Sequence, residues 1–502
     1  MTSKPPLRSL VLASFGWAAA GSGGQFLFQL FALAILARFL SPAEFGVVSA
    51  AIIIAQLSQI FNEFGIGAAI VQREQLLDID IRVGFTLSCL FGGIVILALW
   101  TSSSTISVLL GIPELTWVIR SYTFVFALKS FSAVAESLMH REMEFRLLAR
   151  ADTISFALGY AGLGIFCAFI GLSYWALVVA HLSQSAIKTG LILSCRSHSK
   201  AISLDMATVK SFLHFGLGQS LARLGSFVAN QGDSFVVAKV LGVERLGEYG
   251  RANQLVVIPG NQLGAVFDKV LFPTFSTVQT EKDRFGLAYY RSLGIITMLG
   301  MPIVAVLYVV AEDLALVMLG QQWSNVVEPM EILSLSLIFR LVHKISDPTA
   351  RAAGAIYERA WRQGLVAVTM VLGAYAGSEF GLIGVACGVL FATVLNAFLM
   401  VQLCSKIAGE DFNSLMMVLS PGFRLGIFTY ILVLGVQYFS RLIFESHLGV
   451  LAVTVTTATI ALGTLIYLFP KVSLGRIGLD LMGYAWTVLN LEKRFGLRNL
   501  TI

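Results

Sequence analysis

Six cationic side chains lie inside long apolar segments of this chain, and they are the residues best suited to chemistry. They are Arg120, Lys129, Lys188, Arg223, Arg251 and Arg340. At the lipid-facing centre of a membrane each would cost about 2.5–3.5 kcal/mol on the translocon scale. Together they would cost roughly 15–20 kcal/mol, more than the stability of a typical protein. We therefore expect these side chains to face the interior of a helix bundle or a water-filled cavity.

A cavity with surplus positive charge suits an anionic ligand that carries phosphate, diphosphate or acidic sugar groups. Arginine is apt because its planar fork binds a phosphate or carboxylate through two parallel hydrogen bonds. Few acidic residues could neutralise this charge, and they lie near the ends of the apolar segments: Asp233, Glu331, Asp347, Glu136 and Asp152. The alternative interpretation is that the cations pair with such acids, or with carbonyls at helix ends, and only hold helices together.

Polar residues accompany most of these cations at helical spacing. Residues three, four or seven apart share one face of a helix. The groups are Gln219, Arg223, Ser226, Asn230 and Asp233; Arg251, Gln254 and Asn261; Ser336, Arg340 and His343; His181, Gln184 and Lys188; and Gln56, Gln59 and Glu63. Arg120 and Lys129 are nine residues apart, on opposite sides of one helix, so one of them could snorkel toward the interface instead.

The predicted ligand-binding set combines the cations with neutral polar residues beside them. It contains Arg223, Arg251, Arg340, Gln219, Asn230, Gln254, Gln56, Arg120, Lys129 and Lys188. Asp233, His181 and His343 are candidates for coupling to an ion, with an ordinary hydrogen-bonded packing role as the alternative for each. No catalytic residue, metal site or cofactor is predicted, because the motifs HExxH, GxSxG and GxxxxGK[ST] do not occur.

The segments that position these residues are predicted to be transmembrane helices. Hydrophobic residues make up 57% of the 502 residues and charged residues 13%, with a mean hydropathy of +0.81. A soluble domain carries about 25% charged residues, so the composition excludes a soluble enzyme or DNA-binding domain. A spanning helix needs about 20 apolar residues. The segments that qualify are 14–38, 44–61, 83–102, 114–136, 152–171, 173–194, 211–238, 246–267, 286–310, 327–347, 358–377, 381–403, 416–437 and 447–469. The predicted fold is an all-α polytopic membrane protein of about fourteen helices.

The distribution of positive charge orients these helices. With the N-terminus inside, the inner segments carry 25 of the 35 Lys and Arg residues, the outer segments carry 4, and the spans carry 6. Cytoplasmic loops are enriched in Lys and Arg, so this alternation predicts that both termini are cytoplasmic. The outer loops are short, and none could hold a catalytic domain. The tail has apolar residues at helical spacing, which fits an interfacial amphipathic helix or an ordinary solvated end equally.

An internal repeat divides the predicted helices into two sets of six. The matching motifs are Phe15-Gly16 with Phe215-Gly216, Ala37-Arg38-Phe39-Leu40 with Ala238-Lys239-Val240-Leu241, and Glu44-Phe45-Gly46 with Glu248-Tyr249-Gly250. Six crossings return the chain to the same side of the membrane, so the two sets have the same orientation. Parallel repeats of this kind are a transporter architecture, with the substrate site between the repeats. The predicted boundaries are 1–200 for the N-terminal lobe, 201–408 for the C-terminal lobe, 409–470 for two extra helices and 471–502 for a basic amphipathic tail.

Four stretches of the sequence resemble one family of membrane proteins. They are ARFLSPAEFG at 37–46, FGIGAAIVQR at 64–73, REMEFR at 141–146 and WALV at 175–178. The family is the Wzx-type polysaccharide flippases of the multidrug/oligosaccharidyl-lipid/polysaccharide exporter superfamily, and the resemblance is nearest to its colanic acid exporter branch. It spans the chain, with the sharpest motifs in the first 180 residues.

The resemblance implies two six-helix lobes around a central cavity, in the bacterial inner membrane. It implies a substrate, an oligosaccharide on an undecaprenyl diphosphate carrier, that is turned from the cytoplasmic to the periplasmic leaflet by alternating access. It also implies dependence on an ion gradient. The expected partners are this lipid-linked oligosaccharide and membrane lipids, with a polysaccharide polymerase and co-polymerase as further candidates. Nucleic acid is not an expected partner.

Three other classes of protein remain as alternatives. A multidrug or organic-cation antiporter of the same superfamily should have an acidic cavity, which the six cations disfavour. A membrane polysaccharide polymerase or ligase needs a sizeable outer loop with catalytic groups, which the predicted topology lacks. The third alternative is a purely structural scaffold for a glycan assembly complex, which a transport-dead variant that still assembled the complex and supported export would favour.

Overall fold

The computed structural model describes residues 28–278, 282–409 and 412–468, and in these ranges the chain is helical without a β-strand. The helices are α1 Phe28–Phe39, α2 Pro42–Glu63, α3 Ile66–Gln72, α4 Asp78–Leu110, α5 Leu115–Arg141, α6 Phe145–Ser155, α7 Gly164–Phe169, α8 Trp175–Cys195, α9 Met206–Val236, α10 Val243–Val278, α11 Lys282–Val309, α12 Ala311–Leu319, α13 Val327–Ala352, α14 Ile356–Gly377, α15 Gly381–Ala408, α16 Phe412–Ile443 and α17 His447–Leu468. The start of the predicted first helix and the tail 471–502 lie outside the described residues.

Short turns of other helix types connect some of these elements. A π-helical segment, Phe156–Leu163, joins α6 to α7, so that Phe145–Phe169 forms one membrane-crossing segment of 25 residues. A second π-helical segment, Val237–Leu241, follows α9. Segments of 3₁₀ helix occupy Gln321–Val326 and Ser378–Phe380. π-helical turns are rare inside α-helices and occur frequently at functional sites.

The observed helices coincide with the segments predicted from hydropathy. Each predicted span overlaps a helix in the described part of the chain. Nine helical segments there are long and apolar enough to cross a membrane, and one of them, Ile356–Ala408, combines α14 and α15. Helices α9, α10 and α13, which carry many of the polar residues singled out above, fall outside that set. The chain is an all-helical multi-pass membrane protein, and the count of fourteen spans stays a prediction.

Local sequence signals determine where several helices begin. Ahead of α2, the backbone N–H of Ser41 donates to the carboxylate of Glu44 at 2.6 Å, and the Ser41 hydroxyl accepts from the Glu44 N–H at 3.4 Å. This capping box satisfies backbone donors that have no partner within the helix. Between α2 and α3, Phe64 and Gly65 both have positive φ, 36° and 68°, which turns the chain sharply.

The helices form two compact units. The first unit comprises the described residues of Met1–Arg251 with Met318–Val326 and Ala367–Gly388. The second unit comprises the described residues of Ala252–Val317, Val327–Val366 and Val389–Ile502. The lobe boundaries that we derived from the internal repeat stay predictions.

Glycines allow close helix packing in the first unit. A Cβ added at Gly384 on α15 would lie 2.0 Å from the carbonyl oxygen of Gly377 on α14, and Gly373 and Gly388 meet in the same way one turn further on. Each helix therefore presents two glycines spaced by four residues to the other, an arrangement that lets membrane helices approach closely. Any larger side chain at these positions would push the two helices apart.

Candidate functional site

Two cations of the first unit form ion pairs between different helices. Arg223 on α9 donates from Nη1 to the carboxylate of Glu63 at the end of α2. On α8, the ammonium of Lys188 lies 2.9 Å from a carboxylate oxygen of Glu136 on α5 and 2.8 Å from one of Asp152 on α6. These side chains are partly exposed, and the pairs are contacts of the kind that the helix-holding interpretation expects.

A chain of hydrogen bonds extends the Arg223 pair to a third helix. Lys129 on α5 donates from Nζ to Oε1 of Gln59 at 2.9 Å. Gln59 in turn donates from Nε2 to Oε1 of Glu63 at 2.5 Å. Glu63 therefore accepts hydrogen bonds from both Gln59 and Arg223. We call Lys129, Gln59, Glu63 and Arg223 the α2 network, since its two central members lie on α2.

Two members of this network, Gln59 and Glu63, were not in the predicted ligand-binding set. The signal for them was present in the sequence, because Gln56, Gln59 and Glu63 share one face of α2 at helical spacing. Gln56 was predicted, and it is exposed and accepts a hydrogen bond from Nε2 of Gln231 at 2.8 Å. Gln231, which the sequence argument missed, lies one residue beyond the predicted Asn230.

The residues of the predicted polar face of α9 differ in their burial and in their partners. Gln219 is half-buried and packs near Gly65, whereas Asn230 is exposed and donates to the Ser226 carbonyl on its own helix at 2.7 Å. Asp233 is only 3% exposed. Its carboxylate accepts from the Tyr249 hydroxyl at 2.6 Å and from the backbone N–H of Ser234 at 2.7 Å. Coupling to a cation at Asp233 would have to displace these donors.

Arg251 lies beside aromatic side chains. The central carbon of its guanidinium is 4.6 Å from the centroid of the Phe45 ring, a cation–π contact. Its Nε is buried and has no hydrogen-bond partner among the described residues. In the described part of the chain Arg251 forms no ion pair, so its charge is not cancelled there.

The predicted coupling residue His181 also lies among aromatic rings. The centroid of its ring is 5.0 Å from that of Tyr160 and 5.7 Å from that of Tyr122.

Arg340 and His343 lie one turn apart on α13, in the second unit. Nε of Arg340 and Nδ1 of His343 are buried, and neither has a hydrogen-bond partner in the ranges that the structure describes. The acid two turns along the same helix, Asp347, is already occupied. Arg351 approaches it to 3.1 Å, and Arg359 on α14 donates to it as well. Arg340 has no ion-pair partner within the described ranges, and the nearest acid on its own helix is engaged elsewhere.

Three further polar residues singled out in the sequence lie in different surroundings. On α10, Gln254 is half-buried. Asn261, seven residues or about two turns further along α10, is exposed and accepts from Nζ of Lys344 at 3.1 Å. Arg120 has a third kind of surroundings, since its Nε donates to the Ser103 hydroxyl at 3.1 Å and its guanidinium lies over two tryptophan rings.

Comparison with known proteins identifies the family. Residues 35–328 match the family model described as polysaccharide biosynthesis protein, which is more than half of the chain. The chain belongs to that family. It is 22% identical over 406 residues to the lipopolysaccharide biosynthesis protein WzxC of Escherichia coli strain K12, an alignment that covers 78% of this chain and 80% of WzxC. The resemblance to Wzx-type polysaccharide flippases that the sequence motifs indicated is confirmed.

Solved structures show the fold. The chain resembles the lipid II flippase MurJ in an inward closed conformation with a TM-score of 0.72 and 12% identity, over 90% of this chain and 98% of that structure. It resembles an inward-facing multidrug resistance transporter of the MATE family, in the MOP superfamily, with a TM-score of 0.60 and 16% identity, over 77% and 96% of the two chains. At these identities the likeness concerns the fold, which is that of a membrane transporter.

Proposed function

We propose that this protein moves a lipid-linked oligosaccharide across the bacterial inner membrane, from the cytoplasmic to the periplasmic leaflet, during surface polysaccharide synthesis. The carrier in this proposal is undecaprenyl diphosphate, the movement occurs by alternating access, and both termini are cytoplasmic. Two findings support it. The family is described by polysaccharide biosynthesis, and the fold is shared with transporters.

The observation that carries the proposal is the unpaired positive charge of Arg251 and Arg340. Arg251 lies on α10 and Arg340 on α13, in segments that the sequence predicts to span the membrane, and neither forms an ion pair with a described residue. A charge in an apolar setting is costly unless a counter-ion binds it. A diphosphate or an acidic sugar supplies that counter-ion, and its oxygens fit the two-pronged geometry of a guanidinium.

The other predicted residues have supporting roles in this proposal. Gln56, Gln219, Asn230 and Gln254 are proposed to hydrogen-bond sugar hydroxyls. Lys129, Lys188 and Arg223 are proposed to add positive charge. Arg223 would have to exchange Glu63 for the substrate, so its pairing would differ between the empty and loaded protein. Asp233, His181 and His343 stay candidates for ion coupling.

The proposal is tested by deleting the gene and measuring two quantities in the same cells. These are the polysaccharide at the cell surface and the lipid-linked repeat units on the cytoplasmic side of the membrane. We expect loss of the first and accumulation of the second, both reversed by a plasmid copy of the gene. Unchanged surface polysaccharide without accumulation, in a strain that has no second transporter of this family, would contradict the proposal.

The antiporter alternative has one observation in its favour, the likeness of the fold to a multidrug transporter. It predicts that the deletion strain becomes more sensitive to cationic drugs while its surface polysaccharide stays unchanged. The flippase proposal predicts the reverse pattern. Drug sensitivity has to be compared at equal amounts of surface polysaccharide, because a lost polysaccharide layer can itself admit drugs.

A further inference from the structure

The guanidinium of Arg120 lies over the rings of two tryptophans. The central carbon of its guanidinium lies 5.0 Å from the centroid of the Trp117 ring and 5.4 Å from that of the Trp100 ring. The Ser103 hydroxyl accepts from its Nε at 3.1 Å. Trp100 and Ser103 lie on α4, and Trp117 and Arg120 lie on α5, so the two arms of one helical hairpin form this surface. We call Trp100, Trp117 and Arg120 the tryptophan–arginine patch.

The patch lies among exposed apolar side chains. The tryptophans are 44% and 59% exposed. Each continues a stripe of exposed apolar side chains along its helix, formed by Leu90, Ile94 and Leu97 on α4, and by Phe124 and Phe131 on α5. A water-filled cavity would be lined by polar groups, whereas an apolar stripe of this kind is suited to contact with lipid.

The patch also lies at a particular depth. Helix α4 begins at Asp78, whose carboxylate pairs with Arg82 at 2.5 Å and so marks a polar boundary. Trp100 comes 22 residues later, which is about 33 Å along an α-helix. The hydrocarbon core of a bilayer is about 30 Å thick. Trp100 therefore reaches the opposite interface, the level at which tryptophan is enriched and lipid phosphates lie.

The guanidinium of Arg120 is fixed in position, but not all of its hydrogen-bond donors have partners among the described residues. Nε is used by Ser103 and both rings support the flat face, whereas the two terminal nitrogens make no hydrogen bond or ion pair with any described residue. They are donors in the fork geometry that binds phosphate oxygens through two parallel bonds. We propose that the tryptophan–arginine patch binds the phosphate of an anionic phospholipid in the leaflet at that end of α4 and α5.

The surroundings of the patch indicate that its ligand is a phospholipid of the bilayer. It opens toward lipid between apolar stripes, so the phosphate that reaches it most often is that of the surrounding bilayer. The rings of Trp100 and Trp117 are suited to the apolar and glycerol parts of such a lipid, because tryptophan is amphipathic and favours the interface. This inference is independent of the proposed transport function and assigns Arg120 to the lipid surface instead of the substrate.

The test is a lipid titration of the full-length protein by native mass spectrometry, with phosphatidylglycerol as the probe. We expect Arg120→Gln to weaken the tightest phosphatidylglycerol site about tenfold, the usual size of a lost charged hydrogen bond. Arg120→Lys should retain part of the binding, because the charge stays and the fork is lost. Arg82→Gln is the matched control, at the other end of α4, and it should leave that site unchanged.

Two results would overturn this inference. One is unchanged phosphatidylglycerol binding in Arg120→Gln that elutes as a folded monodisperse protein. The other is displacement of phosphatidylglycerol from the wild-type site by a polyprenyl diphosphate at equal concentration, which would assign the site to the lipid carrier. If Arg120→Gln does not fold, Trp117→Leu serves in its place, with a several-fold loss of binding expected because one supporting ring is removed.

Discussion

Arg223 on α9 and Arg340 on α13 look alike in the sequence, since each lies in a predicted membrane span beside polar residues at helical spacing. Their surroundings differ. Arg223 is paired with Glu63, which Gln59 also approaches. Arg340 has no ion-pair partner in the described part of the chain, and Asp347 on its own helix is held by two other arginines. Helical periodicity thus identifies cations that must avoid lipid, but not which of them keep their charge available for a ligand.

The largest effect is expected at the unpaired cation. In a deletion strain complemented with variant genes, Arg340→Ala should reduce surface polysaccharide about 100-fold at normal protein level, because a charged group that a diphosphate would bind is removed. Arg340→Lys should retain part of the activity. Arg424→Ala is a control in the same unit, since Arg424 is exposed and its Nε donates to the Ser420 carbonyl on its own helix. Export at the wild-type level in Arg340→Ala would remove this residue from the mechanism.

The paired cation can be tested by exchanging its partners. Arg223→Glu and Glu63→Arg should each lower the amount of folded protein, because each places two like charges together. The double exchange should restore the folded protein, since the ion pair is rebuilt in reverse. If Arg223 also contacts the substrate, export should stay at least about tenfold reduced in the double variant, because the charge that meets a phosphate has moved. Full recovery of export would limit Arg223 to holding α2 against α9.

Lys188 is expected to stabilise the folded protein through its ion pairs, in addition to the charge that it is proposed to supply to the substrate. Removing one partner of a buried ion pair costs about 3–5 kcal/mol. Lys188 is 29% exposed, so we expect Lys188→Met to cost about 1–3 kcal/mol. The measurement is the melting temperature of the purified protein in detergent. Glu136→Gln combined with Lys188→Met should cost less than the sum of the two single changes. Additive losses would show that the two side chains do not interact.

The smallest effect is expected at an exposed helix cap outside the membrane. The Asp205 carboxylate accepts from the Thr208 N–H at 2.9 Å at the start of α9, and this hydrogen bond lowers the pKa of the carboxyl. A lowered pKa means that the stabilisation is present above the ordinary carboxyl pKa and is lost as the pH falls. Asp205→Ala should therefore lower the melting temperature slightly at pH 7, and the difference should shrink in acid. Asp205→Asn should fall between Asp205→Ala and the wild type at pH 7 and should not vary with pH, because the asparagine oxygen still caps the helix but carries no charge. An unchanged difference at acid pH would contradict the role of the charge.

Much of the fold could be predicted because the membrane imposes simple rules on the sequence. The predicted span 83–102 lies inside α4, Asp78–Leu110, and the predicted span 152–171 overlaps Phe145–Phe169. The observed helices are longer because backbone hydrogen bonding continues past the apolar stretch into polar residues such as Asp78 and Arg146. Hydropathy reports the part of a helix that needs lipid and does not report where the helix ends.

The site could be predicted only in part, because pairing joins residues that are distant in sequence. Arg223 and Glu63 are 160 residues apart, and Lys129 and Gln59 are 70 apart. Which helices are neighbours decides such contacts, and no local spacing reveals it. The sequence argument selected Asn230, whereas its neighbour Gln231 is the residue that contacts α2. The reason is the same, since adjacent residues point about 100° apart on a helix.

The sequence by itself determined that this chain is a polytopic helical membrane protein with buried cations, because the cost of placing charge or unpaired backbone in lipid depends on composition and local spacing. It also carried the motifs of the polysaccharide biosynthesis family. Only the tertiary structure decided what each cation meets: a carboxylate for Arg223 and Lys188, an aromatic ring for Arg251, an exposed pair of tryptophans for Arg120, and no counter-ion among the described residues for Arg340. The physical reason is that a hydrogen bond or ion pair needs its two atoms within about 4 Å, and the side chains at that distance belong to other helices.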